Sequence, residues 1–199
     1  MKKTLRLILG DQLNQQHSWF KNNEKHVSYV LMELRSETDY TQHHIQKVVS
    51  FFLAMRSFAE DIKSKGHHVV YFRLNDNLNK QNFSDNIKAL IEEQGFERFE
   101  YQLPDEWRLD EQLKNLCKEA DDKPKGGKWN FDQTNRKKLP KSHKPTAPKL
   151  FERDVTEVVE MIHQAKVKTI GNIEAKHFVW PVTREEGLEM LDFFVEECL

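Results

Sequence analysis

VSYVLMELRSETDYTQHHIQKVVSFFLAMRSFAEDIKSKGHHVVYFRL, residues 27–74, decides how this chain folds. It opens on VSYVLMEL (27–34) and closes on HVVYFRL (68–74), two short apolar runs suited to strands. Between them Val48, Phe51, Phe52, Met55, Phe58, Ala59 and Ile62 recur at spacings of three and four, which describes one face of a long helix ending before Gly66. A strand, a helix and a second strand in that order bring the strands together in parallel, because a helical crossover returns the chain to the same end of the sheet.

Outward from this unit the same alternation continues. TLRLIL (4–9) reads as a strand that stops at Gly10, and FERFEYQL (96–103) as a shorter one. Phe83, Ile87, Leu90 and Ile91 form a second helical face ending at Gly95. The expected fold is therefore α/β, an open Rossmann-like parallel sheet of four to five strands with helices on both faces. Beyond Asp110 the pattern is helical. Leu109, Leu113 and Leu116 form one face, Val155, Val158, Val159 and Ile162 another, and Leu188, Leu191, Phe194 and Val195 a third.

With 199 residues, 38% apolar and 11% aromatic, the chain can bury a substantial core. The net charge of -1 hides an uneven distribution. Residues 121–150 carry nine Lys/Arg against three acids, whereas the rest carries 22 against 29. The same stretch holds four of the six prolines. Charge and backbone character change together there, which marks a connecting segment. Three parts are expected: an α/β domain over 1–118, a basic interdomain segment over 119–150, and a helical segment over 151–199. The N-terminus reads as a first strand and lacks the cleavage pattern of a signal peptide. No apolar stretch has membrane-spanning length. Cys117 and Cys198 stand far apart with no partner spacing, so a disulfide framework and a zinc site are not expected. A cytoplasmic monomer is the expectation.

In open parallel sheets, ligands bind outside the carboxyl ends of the strands. Gly10, Asp11 and Gln12 follow the first strand, Glu33 ends the second, and Glu37, Tyr40 and His43 lie before the long helix. These carboxylates, amide, phenol and imidazole suit hydrogen bonding to a polar heteroaromatic ligand. The bland alternative for Asp11 and Glu33 is capping of a following helix. A dinucleotide fingerprint is absent, since Gly10 stands alone and Asp11 would repel phosphate. GGK at 126–128 lacks the earlier glycine of a phosphate loop, and Trp129 takes the Ser/Thr place. The adjacent pairs His43–His44 and His67–His68 do not give the i, i+4 chelate of a metal site. No serine or cysteine has an activating signature, so no catalytic residue is named.

KPKGGKWNFDQTNRKK, residues 123–138, has two readings. One is a solvated linker. The other is a docking segment, in which Lys128, Arg136, Lys137 and Lys138 meet phosphates or a partner while Trp129, Asn130 and Phe131 anchor it.

GGKWNFDQTNRKKLP closely resembles the corresponding segment of the deoxyribodipyrimidine photolyase-related proteins, the iron-sulfur bacterial branch of the cryptochrome/photolyase family. LILGDQL is similar to that family's first strand, residues 32–72 to its second strand, long helix and third strand, and HFVWPVTREEGLEMLDFFVEECL to the stretch leading into the catalytic domain. The resemblance implies that residues 1–118 form an antenna domain whose cleft holds 6,7-dimethyl-8-ribityllumazine, with Asp11, Gln12, Glu33, Glu37, Tyr40 and His43 as the candidate contacts. It also implies a helical catalytic domain with FAD and a 4Fe-4S cluster, located beyond Leu199, so Cys117 and Cys198 are not expected as iron ligands. The sequence departs from the family between Ala120 and Asp121, where it lacks an aromatic, Met- and Arg-rich stretch. The implied function is light harvesting in a protein of DNA repair or blue-light signalling, with its own catalytic domain and damaged DNA as partners and no catalysis by this chain alone. The alternative is a non-catalytic nucleic-acid- or partner-binding domain acting through the basic arm over 123–149.

Overall fold

The computed structural model describes residues 1–119 and 146–198. In chain order the elements are β1 (Thr4–Leu7), β2 (Val27–Met32), α1 (Arg35–Asp39), β3 (His43–His44), α2 (Ile45–Ser64), β4 (His68–Phe72), α3 (Phe83–Gln94), β5 (Arg98–Tyr101), α4 (Trp107–Glu119), α5 (Thr156–Gln164), β6 (Thr169–Ile170) and α6 (Arg184–Phe193). The main sheet has the order β4-β2-β1-β5, and every pairing in it is parallel. Among the described residues this sheet has four strands, each ending two residues before the apolar run that predicts it does.

The period-two alternation of the strands splits the core into two layers. Leu5, Leu7, Val30, Met32, Phe99 and Tyr101 face α3 and α4, where Ile87, Leu90, Leu109, Leu113 and the buried Cys117 meet them. Val27, Tyr29 and Leu31 point the other way, onto Met55, Phe58, Ala59 and Ile62 of α2. Helices thus cover both faces. Each fully buried aliphatic side chain such as Leu7 or Ile62 contributes about 1.5–3 kcal/mol.

The β1–β2 connection contains a single 3-10 turn, Ser18–Phe20, in place of a crossover helix. Aromatic packing holds it. The Tyr29 hydroxyl donates to the Trp19 carbonyl at 2.5 Å, and the Phe20 ring lies 5.0 Å from that of Tyr29 and 5.6 Å from that of His67.

The far side of α2 carries a third layer. Ile45, Val48, Val49 and Phe52 pack with Leu74 against Val155, Val158, Met161, Ile162, Phe178 and Val182. The stretch from Val155 to Val182 is therefore part of the α/β body. A two-residue parallel pairing of β3 with β6 closes this layer. At Gly171, φ is +76°, and a Cβ there would stand 1.8 Å from Nε2 of His44, so only glycine lets the chain pass the imidazole. Beyond it, Leu188 and Leu191 of α6 and Phe194 and Val195 of the π-helical turn Phe194–Cys198 that follows are exposed. Among the described residues no helix is long and apolar enough to cross a membrane.

Candidate functional site

The carboxyl ends of β1 and β2 open into a cleft of about 250 Å³. Its depth is apolar, with Ile8, Met32, Leu34, Phe52, Met55 and Leu109, all buried. Tyr40 and Phe51, 49% and 41% exposed, belong to its mouth. Gly10 brings the backbone against the helix, since a Cβ there would meet Met55 Sδ at 3.1 Å and Phe51 Cδ1 at 3.2 Å. A side chain at this position would force Met55 and Phe51, both of which line the cleft, to give way.

Four of the six residues singled out from sequence line this cleft: Asp11, Glu37, Tyr40 and His43. Tyr40 and His43 meet edge to face, 5.2 Å between centroids. Partial desolvation in the cleft pushes the Asp11 carboxyl above the usual aspartate range, helped by the nearby carboxylates of Asp105 and Glu106 and opposed by its own backbone N–H. Asp11 caps no helix. His44, the neighbour of His43, does so instead, its Nδ1 accepting from Gln46 N at the start of α2.

Gln12 lies beside the cleft, and its amide is engaged within the protein. Oε1 accepts from Leu9 N at 3.3 Å, and Nε2 donates to the carbonyls of Gln102 and Leu103 at 3.2 and 3.4 Å. Glu33 is not at the cleft. It is fully buried, and its Oε1 accepts from Arg56 Nε at 2.7 Å and from the Tyr71 hydroxyl at 2.8 Å, while Oε2 accepts from Arg56 Nη2 and Leu74 N. The physical reason is strand parity. Residues 27, 29 and 31 of β2 face α2, and Glu33 continues that row into the space between β4 and Arg56 of α2. Burial pushes the Tyr71 hydroxyl well above its ordinary value, and the adjacent Glu33 carboxylate pushes the same way.

The structure adds residues that the sequence reading does not single out. Arg108, on the first turn of α4, donates from Nη1 and Nη2 to the two oxygens of Glu37 at 3.2 and 2.7 Å and from Nε to Glu106 at 2.8 Å. Its guanidinium lies 4.3 Å from the Tyr40 ring centroid. The hydrogen bonds to Glu37 raise its pKa above the usual arginine value against the opposing effect of burial. Lys47 also lines the cleft, with Nζ 5.7 Å from the Phe51 centroid. Phe51 counts as a core residue in the helical pattern, yet its exposure places it at the mouth. Lys128, Trp129, Asn130, Phe131, Arg136, Lys137 and Lys138 fall outside the described residues.

A concave, mostly apolar site with a few convergent polar groups is what a small organic ligand requires. An exposed aromatic pair over an apolar bed suits a flat ring, and carboxylates beside it suit ring N–H groups. A compact heteroaromatic ring fits the residues present, and the volume of about 250 Å³ is small for a dinucleotide.

Comparison with known proteins gives two findings. The family model described as deoxyribodipyrimidine photo-lyase-related protein matches residues 6–121 and 119–178. A (6-4) photolyase of Agrobacterium fabrum is 26% identical over 243 aligned positions, which take in 97% of this chain and 48% of that protein. The chain spans about half the length of the curated relative it matches.

Proposed function

Because the chain belongs to the deoxyribodipyrimidine photo-lyase-related family, we propose that it is the light-harvesting part of a photolyase- or cryptochrome-like protein, with the cleft above β1 and β2 as the seat of an antenna chromophore. The observation that carries this reading is the cleft itself, an apolar bed under Tyr40 and Phe51 flanked by Asp11, Glu37 and His43.

The chromophore is 6,7-dimethyl-8-ribityllumazine in this proposal, and when bound it supplies absorption of near-ultraviolet and blue light for transfer to a flavin elsewhere in a longer protein. The chain's own residues bind and orient it. Tyr40 and Phe51 hold the ring plane, an orientation on which transfer depends. Glu37, already accepting from Arg108, has lone pairs left for a ring N–H. Met32, Leu34, Met55 and Leu109 keep water from the buried side of the ring. FAD, a 4Fe-4S cluster and repair of damaged DNA, or signalling in its place, belong in this proposal to the remainder of such a protein. This chain performs no bond chemistry.

The test is titration of the 199-residue chain with the lumazine, followed by fluorescence. Saturable binding is expected, weakened about 10- to 100-fold by Tyr40→Ala or Phe51→Ala, the range for losing one aromatic contact of about 1.5–3 kcal/mol. Absence of binding, or unchanged binding in both variants, overturns the assignment.

A further inference from the structure

Two histidines hold the 3-10 turn of the β1–β2 connection. His17 is its N-cap, and its Nδ1 accepts from the Trp19 N–H at 3.3 Å. The same ring lies edge to face with Trp19 at 5.3 Å and with Phe20 at 6.5 Å. His67, 7% exposed between Gly66 and β4, meets Phe20 edge to face at 5.6 Å and Tyr29 of β2 at 5.5 Å. Both contacts suit an uncharged ring. A cap acceptor needs the lone pair on Nδ1, and a proton there turns it into a donor facing a donor. An imidazolium at position 67 would have to give up its hydration among aromatic side chains.

The charged groups around the pair do not favour a proton. Arg6 of β1 stacks on Trp19 at 5.0 Å, and it already engages Glu100 of β5 at 2.7 Å and Glu24 of the connection at 3.6 Å. Tyr29 of β2 presents a neutral phenol, whose hydroxyl is spent on the Trp19 carbonyl. From α2 the neighbour of Phe20 is apolar Phe58, and Lys65, just past that helix, is positive. Burial pushes both imidazoles below the usual histidine value. Arg6 adds to this at His17, and at His67 the Phe20 carbonyl opposes it while Lys65 adds to it.

The turn is also bounded by anchors of its own. On one side Gln15 Nε2 donates to Asp61 at 2.7 Å and Gln15 Oε1 accepts from Lys65 Nζ at 2.6 Å. On the other Asn23 Nδ2 donates to the Lys65 carbonyl at 2.7 Å. No imidazole takes part in these bonds, and the main sheet takes no strand from the connection. From this arrangement we infer that residues 16–22 form a proton-released latch. Neutral His17 and His67 hold the turn against Tyr29, and protonation of the two rings frees it between the anchors at Gln15 and Asn23 while the sheet stays folded. The same connection carries Gly10 and Asp11 to the cleft, so latch and candidate site share one stretch of chain.

For a histidine whose folded value is depressed, the attachment is complete above the unfolded value of about 6.5 and is lost as pH falls from there through the folded value. Two such sites raise the opening constant by up to about 100-fold per pH unit within that window.

The experiment follows amide hydrogen exchange of the full chain by NMR from about pH 7.5 to about pH 5.5, corrected for the pH dependence of the chemical exchange step. The Trp19 and Phe20 amides, which donate to His17, are expected to lose protection about tenfold or more over this range, while Tyr29 and Leu31 of β2 keep theirs. In the variant His17→Asn/His67→Phe, asparagine keeps the cap and phenylalanine the ring packing, and neither takes up a proton. Its turn should stay protected with no pH dependence, and each single variant should lose about half of the slope. Constant protection of the wild-type turn overturns the latch, as does an unchanged pH dependence in the double variant. Loss of protection in β2 together with the turn overturns it too, because the fold then opens as a whole. NMR titration of the two imidazoles in the wild type gives a check that needs no variant, and midpoints at or above about 6.5 overturn the latch.

Discussion

The guanidinium of Arg108 lies 4.3 Å from the centre of the Tyr40 ring, and the same group is forked onto Glu37. Glu37 belongs to α1 and Arg108 to α4, so one side chain ties both helices to the aromatic wall of the cleft. A planar guanidinium can do this because it presents a face and an edge together.

If the proposed lumazine binds in the cleft, Arg108→Ala is expected to weaken it about tenfold, since a cation–π contact and a forked ion pair of partial exposure are together worth roughly 1–2 kcal/mol. Arg108→Lys keeps the charge without the plane and should fall between. Fluorescence titration of both variants checks this, and equal affinity for the two would argue against the stacking role.

The Glu33–Arg56 pair calls for a stability measurement. Glu33 is fully buried and the Arg56 side chain is 15% exposed, so removing one partner strands the other charge away from water. Glu33→Ala or Arg56→Ala should lower unfolding free energy by about 3–5 kcal/mol. Replacing both with leucine should cost much less than the sum of the single changes, because no uncompensated charge is left. Denaturant titration of the three variants distinguishes these outcomes.

At α6, burial raises the Glu186 pKa, but hydrogen bonds from the backbone N–H of Val182, from Arg153 and from the backbone N–H of Thr183 outweigh it, and the net shift is downward. The side chain forms a capping box with Thr183. A depressed acid contributes stability above its unfolded value, and that contribution is lost as pH falls through the folded value. Thermal unfolding of wild type and Glu186→Gln should therefore differ at neutral pH and converge in acid. Thr183→Ala should cost about 1 kcal/mol.

For the basic segment, duplex DNA binding is expected to weaken steeply as salt rises. Replacing Arg136, Lys137 and Lys138 together should reduce the slope of log K against log salt by up to about 3. An affinity insensitive to salt would remove DNA from the partners of this segment.

Much of the architecture is legible in the sequence because it rests on local periodicity. The face of α2 from Val48 to Ile62 and the four strand runs all lie where their spacing puts them. What escapes is whatever joins distant positions. The β3–β6 pairing has two residues a side and joins His43 to Thr169, too short for any strand pattern. Arg108 sits 71 residues from Glu37, and nothing around it announces a partner. Glu33 is the instructive case. Its place at the end of a strand suggests ligand contact, while its parity with Tyr29 and Leu31 directs it inward. Phe51 errs the other way, an aromatic within a helical stripe that lies just past the edge of the core.

The layer on the far side of α2 also bears on how this body could be transplanted. A gene cut after α4 would leave Ile45, Val48, Val49 and Phe52 facing water where Val155, Ile162 and Phe178 now cover them. The smallest cassette for grafting onto another protein must therefore run through Val182, and its outgoing splice point lies on the threshold of α6.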